Sequence, residues 1–421
     1  MSRLKIQGGR KLRGRLQVSG MKNAATPILA AALLTDEPCL LHRIPRIRDV
    51  DRMLEILRSL GATAEWVGDH DVRVEAKDVS LQTLDRKAMR SLRSSVLLLG
   101  PMLARFREVE LPEPGGCIIG NRPLDTHLYA LEKLGAKYSK EGDAHRLSAE
   151  KLRGRLIVLP EFSVTATENV MMAATLAEGT TVVKLAAAEP HVEDLGHFLI
   201  SMGAKIQGLG THTLTIEGVK KLHGAEYTII PDQIEAGTFL ITAALMRGNL
   251  RVEGIRPDHL DIVFHILESI GAEVQVGEDW AEVAAPATLQ AFNSKLLQTM
   301  PYPGLPTDLM APFGVLATQC SGTTLIHEKM FDGRFGFLNE LTKMGASVVI
   351  SDPHRAFITG PTPLQGREIR SLDLRAGVAL LLAALLADGE TVIHDAEIID
   401  RGYERIEDRL NQVGACIIRE E

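Results

Sequence analysis

The stretch DVDRMLEILRSLGA, Asp49 to Ala62, decides how the chain is read. Val50, Met53, Leu54, Leu57 and Leu60 recur at three- and four-residue spacings, which puts them on one face of a helix. Asp49 is suited to cap its start. Gly61 can take the left-handed conformation that ends it. That ending recurs. A hydrophobic residue followed by Gly-Ala stands at Leu60-Gly61-Ala62, Leu134-Gly135-Ala136, Met202-Gly203-Ala204, Ile270-Gly271-Ala272, Met344-Gly345-Ala346 and Val413-Gly414-Ala415. The glycines are 74, 68, 68, 74 and 69 positions apart. Tyr403, Ile406, Leu410 and Val413 repeat the apolar stripe before Gly414.

Upstream of each such helix lies a more uniformly apolar stretch: Asn23–Leu34, Ser94–Ala104, Thr165–Ala177, Ala236–Met246, Asp308–Thr318 and Arg375–Ala387. A helix that is apolar all round is buried on all sides. Short strands follow, such as Thr181-Val182-Val183 and Thr391-Val392-Ile393, and further strand-like stretches come after each Gly-Ala. The chain therefore reads as an α/β (α+β) protein of six repeated strand–helix–strand–helix–strand–strand units. The pattern breaks near Tyr227–Gln233, so the units group as two domains of three: residues 22–230, and residues 1–21 plus 231–421. The first 20 residues have no helix of their own and are expected to supply a strand to the second domain. Two crossings, near Gly20-Met21 and Ile230-Pro231, suggest a hinge and a closing cleft.

The 421 residues carry a net charge of -7, and aromatics make up 4%. Both disfavour general nucleic-acid binding. Met1-Ser2-Arg3-Leu4-Lys5 leads into no apolar core of the secretory kind, and the longest apolar run, Ala376–Ala387, is too short to span a bilayer. Cys39, Cys117, Cys320 and Cys416 form no CxxC pair, which fits a reduced, cytoplasmic setting. Charge is uneven. Residues 1–22 hold seven Lys or Arg and no acid, and residues 86–107 hold six and no acid. Such islands in an acidic chain suit a small anion, although solvated basic faces are the plainer explanation.

Polar residues recur at comparable places in the units. Lys22 and Asn23 precede one buried helix, Arg93 precedes another, Asp308 opens a third, and Asp373 and Arg375 open a further one. Arg122, Arg334 and Arg401 fall in loops before the amphipathic helices. Helix N-termini favour anions, and converging Arg and Lys would bind phosphate and carboxylate. A single Arg of this kind is more often a surface salt bridge; the repeated placement argues for the set. Cys117 sits in a Gly/Pro-rich loop, Pro112-Glu113-Pro114-Gly115-Gly116-Cys117-Ile118-Ile119-Gly120-Asn121-Arg122-Pro123. Arg122 and His127 would tune its thiol, although a loop cysteine is as often incidental as catalytic. The other cysteines read as buried filler. The histidines show no metal-ligand spacing, and no phosphate-loop motif is present.

The six-unit architecture resembles the enolpyruvyl transferases, over essentially the whole chain. The motifs that carry the resemblance are Ser19-Gly20-Met21-Lys22-Asn23-Ala24-Ala25, Gly115 to Pro123, Pro306-Thr307-Asp308, Asp373-Leu374-Arg375 and Asp400-Arg401-Gly402-Tyr403-Glu404-Arg405-Ile406-Glu407-Asp408. The Gly-Gly-Cys loop points to the branch acting on a UDP-amino sugar. The resemblance implies a two-domain inside-out α/β barrel. It implies phosphoenolpyruvate and UDP-N-acetylglucosamine as substrates, with no metal and no cofactor. Lys22, Arg122 and Arg401 would hold the phosphate and carboxylate of phosphoenolpyruvate, with Arg93 and Arg375 nearby. Cys117 would be the general acid and Asp308 the base for the sugar 3′-hydroxyl. Asn23 and Arg334 would contact the amino sugar or its diphosphate. Arg122, Pro123, Leu124, Asp125, His127, Ser163, Val164 and Thr165 would bind the uridine diphosphate end. Glu189 and Asp373 would support the site, and Met330 would join the substrate contacts.

Two departures stand out. Thr165 replaces a frequent glycine, where a Cβ would crowd the nucleotide. Glu161 stands where some members carry a Lys, which would weaken diphosphate binding. Rival readings are an enolpyruvyl transferase of the shikimate type and a catalytically silent UDP-sugar-binding paralogue.

Overall fold

The computed structural model of the protein describes residues 2–80, 85–115, 120, 122–292 and 296–421. Cys117 and Asn121 lie outside the described residues. Chain contacts divide the described residues into two compact units, one of residues 20–115 and 122–230, the other of residues 2–19 and 231–421, with Gly120.

All six Gly-Ala pairs end helices in the same way. Gly61, Gly135, Gly203, Gly271, Gly345 and Gly414 have φ between 93° and 109°, a region closed to most side chains. In the first, the Gly61 N–H donates to the Arg58 carbonyl at 2.9 Å and the Ala62 N–H to the Leu57 carbonyl at 3.1 Å. These two bonds form the Schellman closure, which satisfies carbonyls that the helix end leaves free. The same pair recurs at the last, where Gly414 reaches Asn411 and Ala415 reaches Leu410. The start of the first helix differs from expectation. It spans Arg48–Ser59, Ile47 is its cap, and Asp49 is buried in its first turn. Asp49 makes an ion pair instead of a cap. The last helix begins at Ile406, so Tyr403 lies in the turn before it.

The uniformly apolar helices are the cores. In Leu374–Leu386 every residue except Leu386 is buried, and in Gln233–Met246 every residue except Met246 is buried. In the unit that includes residues 231–421, these two helices and Thr307–Ala317 pack on one another. In the other unit, the segment Arg93–Leu98 touches both Lys22–Ala31 and Val164–Ala174.

Each repeat builds one sheet, and in several of them a strand from outside the repeat's own hairpin pairs in parallel at the edge. In the first, Glu226–Thr228 pairs in parallel with Cys39–His42, which is followed across the sheet by Val72–Glu75 and Thr63–Trp66. In the third, Leu156–Val158 pairs in parallel with Thr180–Lys184, next to Thr213–Glu217 and Lys205–Gln207. The N-terminal stretch supplies two strands rather than one. Arg13–Gln17 pairs in parallel with Asn249–Glu253. Arg3–Gln7 inserts between Glu390–His394 and Ile417–Glu420, antiparallel to both. Alternation sets the faces: Leu4 and Ile6 are fully buried between more exposed neighbours.

Cys39 and Cys320 are buried, and burial raises both thiols, Cys320 to about 12. Cys416 is only half-buried, a departure from the buried role read for it. Among the described residues no helix is long and apolar enough to cross a membrane.

Candidate functional site

In the unit containing residues 231–421, three buried helices start close together, each with an aspartate at its cap or in its first turn. Asp232 caps Gln233–Met246 by accepting the Ile234 and Glu235 N–H groups at 2.8 and 3.1 Å. Asp373 caps Leu374–Leu386 by accepting those of Arg375 and Ala376 at 2.8 and 3.1 Å. Asp308 is different. The helix Thr307–Ala317 is preceded by Pro306 as its cap, and Asp308 sits in the first turn without capping. Its carboxylate is held by two guanidiniums: Arg334 Nη2 donates to Oδ1 at 2.7 Å, and Arg375 Nη2 lies 3.0 Å from Oδ2. Arg334 Nη1 is also 3.8 Å from Asp373 Oδ1. The structure therefore joins Asp308, Arg334, Asp373 and Arg375 in one cluster.

Arg375 is buried beside these carboxylates. Burial alone would lower its pKa, but Asp308, Tyr403 and Asp232 together raise it, so it stays charged. The Tyr403 ring lies 5.5 Å from its guanidinium carbon. Tyr403 is fully buried, its hydroxyl shares a 2.9 Å hydrogen bond with Thr238 Oγ1, and burial pushes its pKa up to about 12. Arg401 stands two residues before Tyr403, at the end of the short 3-10 segment Ala396–Arg401.

Arg334 and Met330 are held by a residue the sequence reading did not single out. Glu328 is fully buried and accepts from Thr307 Oγ1 at 2.7 Å, Thr299 Oγ1 at 2.9 Å and the Met330 and Phe331 N–H groups at 2.7 and 3.3 Å. It fixes the loop carrying Met330 and Arg334 against the start of the Asp308 helix. Asp232 was also missed. Its signal was present: it opens the fourth buried helix where Asp308 and Asp373 open the fifth and sixth.

In the other unit the corresponding helix starts are basic or neutral. Lys22 opens Lys22–Ala31 and its Nζ lies 2.8 Å from Asp49 Oδ2, with both side chains largely buried. Asn23 follows it, half-buried. Arg93 opens Arg93–Leu98, and its guanidinium donates to the Arg122 carbonyl. Burial lowers the Arg93 pKa, and Glu113 opposes this. Arg122 and Pro123 lead into Asp125–Lys133, for which Leu124 is the cap residue. His127 is buried within that helix, and its Nε2 is 2.8 Å from Thr165 Oγ1. Burial, then the Arg93 and Arg122 charges, push its pKa down to about 3, so the ring is neutral. Ser163 caps Val164–Ala174 by accepting the Ala166 N–H at 3.4 Å. The structure thus joins Arg93, Arg122, His127 and Thr165. Glu161 accepts from Thr126 Oγ1 at 2.8 Å.

Glu189 is the cap residue of Pro190–Ser201. Behind it Glu168 is fully buried, and burial, then the Glu189 charge, raise its pKa well above the usual carboxylate range. Asn169 stitches the helices together: Oδ1 accepts the Gly100 N–H at 2.6 Å, and Nδ2 donates to the Val96 and Thr165 carbonyls at 3.0 Å each.

Most of the basic islands play no part in these clusters. Arg3 and Lys5 pair with Glu420, Arg15 with Glu253, Arg86 with Glu110 and Arg90 with Asp143. For these residues the plain surface reading holds, while Lys22 and Arg93 are drawn into helix starts.

A repeated α/β framework with charged residues at its buried helix starts is thus common to both units. The chain belongs to the EPSP synthase (3-phosphoshikimate 1-carboxyvinyltransferase) family, whose model matches residues 6–410. Among curated relatives it is 46% identical over 419 residues to the UDP-N-acetylglucosamine 1-carboxyvinyltransferase of Bradyrhizobium diazoefficiens, covering 98% of this chain and 97% of that protein. It is 44% identical over 422 residues to the enzyme of that name from Koribacter versatilis, covering 100% of this chain and 96% of that one. The structure is similar to the enolpyruvyl transferase NikO from Streptomyces tendae, with a TM-score of 0.88, 26% identity and coverage of 99% and 98% of the two chains. EPSP synthase from Acinetobacter baumannii matches at a TM-score of 0.73, 19% identity and complete coverage of both chains, which bears on the fold alone.

Proposed function

We propose that the chain transfers the carboxyvinyl group of phosphoenolpyruvate to the 3′-hydroxyl of UDP-N-acetylglucosamine and releases phosphate, the first committed step of peptidoglycan synthesis. The observation that carries the acceptor is identity of 44–46% along the whole chain to enzymes named for that reaction. The same names weigh against the shikimate-type and silent-paralogue readings. A cytoplasmic setting follows from this role.

The chemistry asks for an acid, a base and cations. Cys117 gives a proton to the methylene carbon of phosphoenolpyruvate, and positive charge develops at the adjacent carbon. The sugar hydroxyl attacks that carbon and loses its proton to Asp308, giving a tetrahedral phosphate ketal. The Cys117 thiolate takes back a methyl proton as the C–O bond to phosphate breaks, giving the enol ether and inorganic phosphate. Lys22, Arg122 and Arg401, with Arg93 and Arg375 nearby, hold the anionic groups. Asn23 and Arg334 contact the amino sugar or its diphosphate, with Met330 among the substrate contacts. Pro123, Leu124, Asp125, His127, Ser163, Val164 and Thr165 serve the uridine diphosphate end, and Glu189 and Asp373 support the site. Asp308 lying between Arg334 and Arg375 supports its role, since its carboxylate is held by those two guanidiniums.

Phosphate release from phosphoenolpyruvate, measured with UDP-N-acetylglucosamine and separately with 3-phosphoshikimate, tests the acceptor. Release with the second and not the first refutes the proposal. An epoxide phosphonate mimic of phosphoenolpyruvate is expected to alkylate Cys117; a label mapped to Cys39, Cys320 or Cys416 removes Cys117 from its role.

A further inference from the structure

The turn that carries Arg401 is held from both ends by one residue, Arg419. Arg419 belongs to the last strand, Ile417–Glu420, and pairs across the sheet with Leu4. Its Nε and Nη2 donate to the two oxygens of Glu407 at 2.5 and 3.1 Å. Its Nη2 and Nη1 donate to the two oxygens of Asp400 at 2.7 and 3.1 Å. Asp400 immediately precedes Arg401, and Glu407 lies in the first turn of Ile406–Gln412. Both bidentate pairs are largely shielded from solvent, with Arg419 24%, Asp400 26% and Glu407 13% exposed. Nη1 also reaches Ser2 Oγ at 3.2 Å, and Ser2 Oγ and its N–H donate to Glu397 at 3.1 and 3.0 Å. Glu397 lies in the same 3-10 segment as Arg401.

An isolated surface ion pair does little. Two bidentate carboxylates on one planar guanidinium differ, because five fixed N–H directions are matched by oxygens from both sides of a loop. We propose that Arg419 is a positioning residue for the reaction: through Asp400 and Glu407 it fixes the turn 400–407 on the terminal strands and so sets where the Arg401 guanidinium stands. This rests on the reading of Arg401 as a cation that binds phosphoenolpyruvate. Between the two anchors, burial of Tyr403 against Arg375 locks the middle of the turn to the Asp308 cluster. Arg401 thus inherits its position from the sheet and the cluster together.

The test compares Arg419→Gln and Arg419→Lys with the unaltered chain. With the turn loosened, misplacing the Arg401 charge by about an ångström is expected to raise KM for phosphoenolpyruvate about tenfold or more. KM for UDP-N-acetylglucosamine is expected to stay unchanged. Lysine, a point charge, is expected to give an intermediate value. Trypsin is expected to cut faster after Arg401 and Arg405 in both variants. A variant with a lowered Tm but the original KM for phosphoenolpyruvate and the original tryptic pattern would overturn the inference, because Arg419 would then serve stability alone. Should Arg419→Gln not fold, Glu407→Gln removes one bidentate arm and is judged by the same two readouts. Should the unaltered chain release no phosphate with UDP-N-acetylglucosamine, the functional reading fails, and the rate of cutting after Arg401 alone decides for or against the clamp.

Discussion

Asp308 combines two demands that a substitution can separate. Its helix does not depend on it for capping, so Asp308→Asn keeps an acceptor beside Arg334 and Arg375 and is expected to fold and bind the UDP-sugar. Removing the base is expected to lower kcat roughly 10²- to 10⁴-fold. Asp308→Ala leaves two nearly buried guanidiniums without that partner and is expected to cost about 1–3 kcal/mol in addition. Calorimetry and steady-state kinetics on both variants check this; a well-folded Asp308→Asn chain with normal kcat would leave the base unassigned. His127 and Glu168 are both held neutral, and their effects on stability have opposite signs. The folded pKa of His127, about 3, lies below its ordinary 6.5. The unfolded chain therefore binds more protons between those values, and stability falls as pH drops from 6.5 towards 3, by at most about 5 kcal/mol. Glu168 is raised, so the unfolded chain ionises first and stability falls as pH rises above 4.5. Replacing Glu168 with Gln is expected to raise Tm at pH 8 relative to the unaltered chain, with the difference shrinking by pH 4. A difference independent of pH would show that Glu168 is ionised in the fold.

Among the elements, the six helix ends offer a graded test of one conformation. Gly271 has φ of 96°, and an added Cβ would meet only Pro286, at 4.0 Å. Gly271→Ala is therefore expected to cost only the left-handed backbone strain, about 1–2 kcal/mol. Gly61 has nearly the same φ, but its added Cβ would fall 2.4 Å from the Asp78 carbonyl oxygen. Gly61→Ala is expected to cost clearly more, and equal losses in urea titrations would show that the backbone relaxes around Asp78. These glycines made the fold legible, because a helix end is written in local residues. The buried helices were legible from their unbroken apolar runs. The cluster of Asp308, Arg334, Asp373 and Arg375 was legible as a recurring placement, though not as contacts. Glu328 was not, because a fully buried carboxylate among Thr299, Thr307 and a loop has no periodic signature. Asp49 was misread for the opposite reason: local spacing suggested a cap, and the partner that claims it, Lys22, lies 27 positions away. The contact between Thr165 Oγ1 and the neutral His127 ring, 38 positions apart, was likewise not legible in the sequence.

At the scale of the whole molecule, sequence order and sheet order part company. Residues 3–17 supply strands to two sheets of the unit that otherwise runs from 231 to 421. A chain beginning at Gly20 would leave Leu250 and Val252 without their parallel neighbour and would split Glu390–His394 from Ile417–Glu420. Loss of both strands takes the buried side chains of Leu4, Ile6, Leu12 and Leu16 out of the core of that unit. The unit is expected to melt in such a chain, and a synthetic peptide of residues 1–19 is expected to restore it. A cooperative, unshifted transition in the shortened chain would show that those strands are dispensable.

The pairing of the first strand with the last has a practical consequence. Arg3 stands directly opposite Glu420, so the start of the first strand and the end of the last lie side by side in a single sheet. A short flexible peptide could join them, and new ends could be opened at an exposed hairpin such as Gly142, where no Cβ would meet a neighbour. Such a circular permutant would make Ile417–Glu420 and Arg3–Gln7 a covalent hairpin. It would turn a contact between residues 417 positions apart into one of the most local in the molecule.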